Sequence, residues 1–258
     1  YRRHPGCQRK PELRSARAKT DDTLMPQIQQ VWDSNLQVYG ADKVWHQMNR
    51  EGIQVARCTV ERLLKRLGSQ AARRGKVART TVPDKALPCP LDRVNRQFKA
   101  DRPNQLWVSD FTYVSTWQGW QYVAFVIDVF ARRIVGWRVS SSMRTDFVLD
   151  ALEQAVYDRK PDHNALIHHS GRGSQYVSIL YTERLAQAGI EPSVGSRGDS
   201  YDNALAETIN GLYKAELIHR RAPWKTKESL ELATLEWVSW FNNCRLLGSI
   251  GYIPPAEA

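Results

Sequence analysis

The stretch from Ala165 to Lys214, ALIHHSGRGSQYVSILYTERLAQAGIEPSVGSRGDSYDNALAETINGLYK, decides how the chain is organised. A short apolar run, Ala165-Leu166-Ile167, passes into the polar, glycine-broken His168 to Gln175, the pattern of a buried strand that delivers a loop at its carboxyl end. Open α/β sheets carry their chemistry at that edge. Ser178 to Ala188 reads as a helix closed by Gly189, and Ile190 to Val194 as a short strand. Further on, Asp202-Asn203 can cap a helix that carries Glu207, and helical spacing brings Asn203, Asn210, Gly211 and Lys214 near the face of Glu207. A carboxylate and an amine on one helical stripe suit a metal ion and a phosphate, so this stretch reads as the second half of a metal-dependent site.

Upstream, Gln105 to Val114 (QLWVSDFTYV) reads as a strand with Asp110 in its middle, and the apolar WQYVAFVIDVF and RRIVGWRV follow at hairpin spacing. An acid inside such a strand demands an explanation. A helix near Asp146 to Tyr157 turns Phe147, Leu152 and Val156 inward before the strand at Ala165. Three strands followed by alternating helix and strand predict an α/β architecture, a mixed five-stranded sheet flanked by helices. Lys227 to Asn242 reads as a further helix, with Leu230, Ala233, Leu235, Trp237 and Trp240 packed back on the core. Trp117 and Trp120 flank the first hairpin turn and read as packing, with stacking on an unpaired base as the alternative.

The segments WVSDFTYV, IDVFARRIVGW, HHSGRGSQY, SRGDSYDNALAET and WFNNCRLLGSIGYIPP, in that order, resemble bacterial insertion-sequence transposases with a retroviral-integrase-type core, the DDE family on a ribonuclease H-like fold. The resemblance covers roughly residue 24 to the end, and five ordered motifs are far more specific than any one of them. It implies phosphoryl transfer at element ends by two aspartates and a glutamate, with 35 residues between the last two. Positions 172 to 206 number 35, which puts the second carboxylate at position 171, and that residue is Gly171. The family motif here is similar to HHSDRGSQY. Asp110 and Glu207 match the triad, and its middle member is absent.

Two-metal phosphoryl transfer holds two divalent ions, Mg²⁺ or Mn²⁺, about 3.5–4 Å apart. Mg²⁺ is bound through only one or two carboxylates plus substrate phosphates, so losing one acid of three removes a large share of the protein ligands. The resemblance therefore implies a transposase with Asp110 and Glu207 as remaining metal ligands, and with DNA cleavage and strand transfer impaired. Asp162 and Asp128 are too far along the chain to replace the acid by local sliding, whereas Asp199 and Asp202 precede the Glu207 helix and could approach from the other side. Arg172 and Lys214 are expected at phosphates, and Asn242, Asn243 and Arg245 of the closing motif near DNA. His168 and His169 do not read as a zinc site, since neighbours on a strand point to opposite faces and no Cys pair lies nearby; one is expected in the core and one near a phosphate.

The net charge of +10 is uneven. Residues 1–100 carry 21 Lys and Arg against 9 Asp and Glu, a surplus of 12, while residues 101–258 carry 16 against 18, a deficit of 2. Clustered positive charge is the electrostatic footprint of nucleic-acid binding. Residues 1–23 are basic and without periodicity, which predicts a flexible segment or the remnant of a preceding helix. From Leu24 to Gly68, Ile28, Val31 and Trp32, then Val44, Trp45 and Met48, mark two amphipathic helices; after the turn at Glu51-Gly52-Ile53 a third carries Val60, Leu63, Leu64 and Leu67 on one stripe. This reads as a helix-turn-helix domain over 24–68, with Arg57, Arg62, Lys65 and Arg66 as candidate DNA contacts. Residues 69–100 read as a basic linker and 101–258 as the integrase-type core with its C-terminal helices.

A chain of 258 residues that is 42% hydrophobic, with nine Trp, can bury a sizeable core. No run reaches the length of a membrane span and no signal pattern opens the chain, which points to a cytoplasmic protein. Cys7, Cys58, Cys89 and Cys244 are scattered without a CxxC and read as free thiols. The chain opens without Met and stops at GYIPPAEA, so both ends read as cut, with room for a fused or separate DNA-binding partner upstream. The expected partners are double-stranded DNA, both element ends and target, and further copies of the chain assembled on it. Two rival readings remain: a protein that only binds DNA ends, and a helix-turn-helix regulator whose core serves assembly.

Overall fold

A computed structural model describes residues 15–73, 94, 98–171, 173–195 and 203–258. Arg172, Asp199, Asp202 and most of the 69–100 linker lie outside the described residues. The chain divides into two compact units, Tyr1–Ala72 and Arg73–Ala258.

The first unit is helical: α1 (Ala16–Ser34), α2 (Ala41–Arg50) and α3 (Arg57–Leu67). Ile28, Val31, Val44, Met48, Val60 and Leu63 fall at helical spacing and form its buried centre. Gly68 closes α3 at φ +74°, a left-handed conformation that glycine adopts without a Cβ penalty. Ser15 caps α1, its hydroxyl oxygen accepting the N–H of Ala18 at 3.2 Å. Residues 16–23, read from their polarity as a flexible segment or a helix remnant, are therefore helical. The reason is ionic: Asp21 is buried, and Arg62 of α3 donates to both of its carboxylate oxygens at 2.7 and 2.6 Å. The Arg62 hydrogen bonds hold the Asp21 carboxyl below its ordinary range. Arg62 is thus a clamp between α1 and α3 instead of a free DNA contact, whereas Arg57, Lys65 and Arg66 are exposed.

The second unit is built on β1 (Leu106–Thr116), β2 (Gly119–Asp128), β3 (Arg133–Ser140), α4 (Thr145–Arg159), β4 (Leu166–Ser170), α5 (Ile179–Gln187) and β5 (Ile190–Val194). The sheet runs β3-β2-β1-β4-β5, with the first three strands antiparallel and β4 and β5 parallel to β1. One core joins Trp107, Ala124, Val126 and Leu166 to Phe147, Ala151 and Leu152 of α4 and to Tyr181 and Leu185 of α5. Gly136 permits the approach of α4 to β3, because a Cβ there would stand 2.1 Å from the Ala151 carbonyl oxygen.

Beyond the sheet, α6 (Ala204–Tyr213) continues through a π-helical turn (Lys214–Ile218) into a short α7 (His219–Arg221), followed by α8 (Lys227–Asn243). Phe125 of β2 meets Tyr213 edge-on at 5.1 Å and Trp237 at 6.0 Å, and Trp237 meets Phe241 at 5.0 Å. Leu235 of α8 is exposed instead of packed.

Two expected DNA contacts belong to this packing. Asn242 is buried, its amide oxygen accepting the Ile134 N–H at 3.0 Å and its amide nitrogen donating to the Ile134 carbonyl at 2.8 Å, so it satisfies the backbone of edge strand β3. Arg245 is buried with Glu216 and donates to its carboxylate at 2.6 Å. Neither is available to DNA, because each side chain already serves a buried group. Asn243 is exposed, with its amide donating to the Ser239 carbonyl at 2.8 Å.

Candidate active site

Strand β1 enters the sheet fully buried and changes character at Asp110, which is half-buried. Its parallel pairing with β4 ends at Ser109–Ser170. Asp110 and Gly171 are the next residue on each strand, so the glycine follows β4 beside the acid. An added Cβ at Gly171 meets nothing within 4 Å, and its backbone is not in the left-handed region. A Cβ fits there without displacing anything.

Helix α6 supplies the other half. Its first anchor is Asn203, buried, whose amide donates to the Ser109 carbonyl at 2.8 Å. Its second is Asn210, whose amide donates to Asp110 Oδ2 at 3.0 Å. Two turns of helix thus dock at both ends on two consecutive residues of β1. Glu207 lies between the anchors on the exposed side. In the sequence Asn210 is only a neighbour of Glu207 on a stripe and Asn203 also a candidate cap; Asn203 does stand at the cap position, but its side chain makes no cap hydrogen bond. Their grip on β1 required knowing that the helix crosses that strand.

The electrostatics follow from this arrangement. Burial is the main cause that raises the Asp110 carboxyl to about 7, and the Glu207 charge adds to it, against the Phe111 backbone N–H, the Asn210 hydrogen bond and the Lys214 charge. Glu207 is raised as well, by loss of water around its carboxyl. Lys214 stands with its ammonium 4.9 Å from the centre of the Tyr113 ring, a cation–π contact that holds positive charge on the β1 side of the helix.

Behind the acid lies a buried polar network. Ser109 Oγ and the Tyr181 hydroxyl meet His168 Nε2 at 2.7 and 3.1 Å, and His169 Nδ1 meets Ser193 Oγ at 2.9 Å. Burial lowers His168 to about 3, so the ring is neutral near pH 7. Both histidines are interior, which removes the expected phosphate contact from the pair. Asp128 is also committed elsewhere, accepting the N–H groups of Asn104 and Phe130 and pairing with Arg159 at 3.5 Å.

Among the described residues the acids at this place are Asp110 and Glu207. Asp110 and Glu207 are brought together, position 171 contributes no ligand, and no group of three His, Cys, Asp or Glu able to hold a metal gathers among the described residues.

Residues 100–200 and 188–255 each match a family described as an integrase core domain, and residues 19–77 match an HTH-like domain. The chain is 62% identical over 248 residues to the transposase for insertion sequence element IS629 of Shigella sonnei, a match spanning 96% of this chain and 82% of that one. It is 57% identical over 247 residues to the putative transposase for insertion sequence element IS986/IS6110 of Mycobacterium tuberculosis (strain ATCC 25177 / H37Ra), spanning 94% and 89%. The fold is similar to the HTLV-2 integrase catalytic core domain solved in complex with magnesium (trimeric form), with a TM-score of 0.50 at 16% identity over 62% of this chain and 98% of that one.

Proposed function

Because the chain belongs to the insertion-sequence transposases with an integrase core domain, we propose that it binds the ends of an insertion element as double-stranded DNA, together with target DNA, and that its own strand cleavage and strand transfer are impaired by the glycine at position 171. The observation that carries this reading is position 171 itself, one residue beyond the last β1–β4 pair as Asp110 is, where a Cβ would meet nothing and the residue is glycine. Asp110 and Glu207 are the residues that would bind Mg²⁺ or Mn²⁺, and with one acid missing the affinity is weakened. In such sites divalent ions activate the attacking oxygen and stabilise the leaving one.

The remaining residues supply position and charge. Asn203 and Asn210 hold α6 on β1, which sets the spacing of the two acids, and Lys214 provides a cation for a phosphate near Asp110. Arg57, Lys65 and Arg66 form an exposed basic surface on α3 suited to a DNA backbone or groove. Arg172, next to the glycine, is a further phosphate contact in this reading. Two element ends must be held at once for joining, so the protein acts as a homo-oligomer on DNA.

The test compares this chain with Gly171→Asp for Mn²⁺- and Mg²⁺-dependent cleavage and strand transfer on element-end DNA. Chemistry from the restored protein alone is expected. Activity of the unmodified chain overturns the impairment, and end binding without chemistry from either protein favours a binding-only role.

A further inference from the structure

Two tryptophans, neighbours on one turn, are exposed among the described residues of the second unit. Trp117 is 70% exposed and Trp120 56% exposed, at the tip of the β1–β2 hairpin. The sequence reading placed them in packing, and the structure turns them to solvent. The tip is tied down nonetheless. Thr116 Oγ1 donates to the Gly119 carbonyl at 2.8 Å and accepts the Gln118 N–H at 3.2 Å, while Gly119 takes φ +101° to close the turn. The Trp117 N–H donates to the Trp224 carbonyl at 3.1 Å, and the Lys227 N–H donates to Gln118 Oε1 at 3.0 Å. Trp224 is itself buried, with its indole N–H donating to the Ile218 carbonyl at 3.1 Å. Exposed rings on a held turn are displayed, since the fold gains little from them.

A cation accompanies Trp117, and a second lies one ring away from Trp120. The Lys225 ammonium lies 5.4 Å from the Trp117 ring centre. Trp120 packs edge-on to Tyr113 at 5.2 Å, and the other neighbour of Tyr113 is Lys214. The line Trp120–Tyr113–Lys214 therefore leads from the tip to the helix whose Asn210 holds Asp110. Trp120 pairs with Ser115 of β1, which at a rise of about 3.4 Å per residue stands about 17 Å along the strand from Asp110 and points to the opposite face, the face that Lys214 reaches at Tyr113 from the helix that holds Asp110. That span is a few nucleotides.

We infer that the hairpin tip is a stacking platform for unpaired bases of a DNA strand whose backbone runs past Lys225 and Lys214 toward Asp110. This rests on the DNA reading above and deepens it. Flat rings beside ammonium groups match a single strand, which offers a π-face with every base and a phosphate between bases. A continuous duplex shows base faces only at its end, so the ligand is a frayed end or a single-stranded flank. A second copy of the chain, the rival occupant, would gain nothing from the two lysines unless it brought acids to them.

The experiment measures binding of the full chain to a labelled blunt duplex and to the same duplex with a short unpaired extension, by fluorescence anisotropy at fixed salt. The extension should tighten binding. Trp117→Ala with Trp120→Ala should abolish that gain, about tenfold for each ring removed, while Trp117→Phe with Trp120→Phe keeps most of it. Blunt-duplex affinity and melting temperature should stay level across all three. Equal binding of extended DNA by all variants overturns the platform, as does a change of oligomeric state in sedimentation with DNA affinity intact. A native chain that binds neither DNA sinks the DNA reading itself, whereas one that binds the blunt duplex without preferring the extension sinks only the platform.

Discussion

Placing aspartate at Gly171 creates a third carboxylate beside Asp110, and its energetic signature is readable without any DNA. Neighbouring strands lie about 4.8 Å apart, so the two carboxylates would sit roughly 5–6 Å from each other. At an effective dielectric constant of about 20, two unit charges at that distance repel by about 3 kcal/mol. Asp110 already holds its proton up to about pH 7, which relieves part of the repulsion at neutral pH. Replacing glycine also stabilises by about 0.4–1 kcal/mol through the unfolded chain. The net cost of Gly171→Asp is then about 1–2 kcal/mol in a chelator, a fall of roughly 3–6 °C in the melting temperature of the core. Divalent ions should reverse it, because binding at a hundredfold excess over Kd contributes about 2.7 kcal/mol. The assay is a thermal melt of the native chain, Gly171→Asp and Gly171→Asn across Mg²⁺ and Mn²⁺ titrations. The aspartate variant alone should start low and climb with metal. If it melts with the native chain in chelator, and metal shifts all three alike, position 171 does not face Asp110 and the reasoning fails.

Further expectations follow from groups already placed. The raised Asp110 carboxyl favours its protonated form in the fold, so it withdraws stability as pH rises from about the unfolded value of 3.8 through about 7. Asp110→Asn should therefore exceed the native chain in urea stability at pH 8 by about 1–2 kcal/mol, after discounting for its partial exposure, and match it near pH 3. Arg245→Met leaves Glu216 buried without its cation and should cost about 3–5 kcal/mol in chemical denaturation, with double replacement by Met and Gln recovering much of that. In the helical unit, Arg62→Ala should lower the melting temperature by releasing Asp21, whereas Lys65→Ala should leave stability unchanged and reduce the salt dependence of DNA binding by about one phosphate contact.

These cases also mark what could be read from the sequence. All five strands, α4 and α5 follow from period-two and period-3.6 patterns and from punctuation such as Gly189, because those signals are local. The candidate positions Asp110, Glu207 and Gly171 came from motif order and from the spacing of the family that the chain resembles, and the structure places Asp110 and Glu207 near one another. What escaped depends on long-range pairing. Arg62 and Arg245 look alike in sequence to Lys65, a cation in a basic or polar stretch, and only the arrival of Asp21 and Glu216 from distant segments decides that the first two are structural. Asn242 likewise becomes a backbone clamp only because α8 runs past the edge of β3. The tryptophans failed in the other direction: burial is the default for an indole, and nothing in the local pattern of a hairpin reveals that its tip projects beyond the sheet.

The way α6 is fastened makes the shape of the candidate site independent of position 171. Had the helix been held by carboxylates sharing an ion, removing one ligand would have loosened it. Its anchors are amides instead: Asn203 grips a backbone carbonyl of β1 and Asn210 grips the Asp110 carboxylate, and neither bond involves position 171. Lys214 and Tyr113 add a contact that is likewise independent of the glycine. Geometry and metal binding are therefore separable in this fold. In the function proposed above, a chain with glycine at 171 keeps the scaffold that carries Asp110, Glu207, Lys214 and the hairpin tip, and the missing carboxylate bears on the reaction alone. That separation predicts that end binding by the native chain and by Gly171→Asp differs little in chelator, and that the two part company only when divalent ions are supplied.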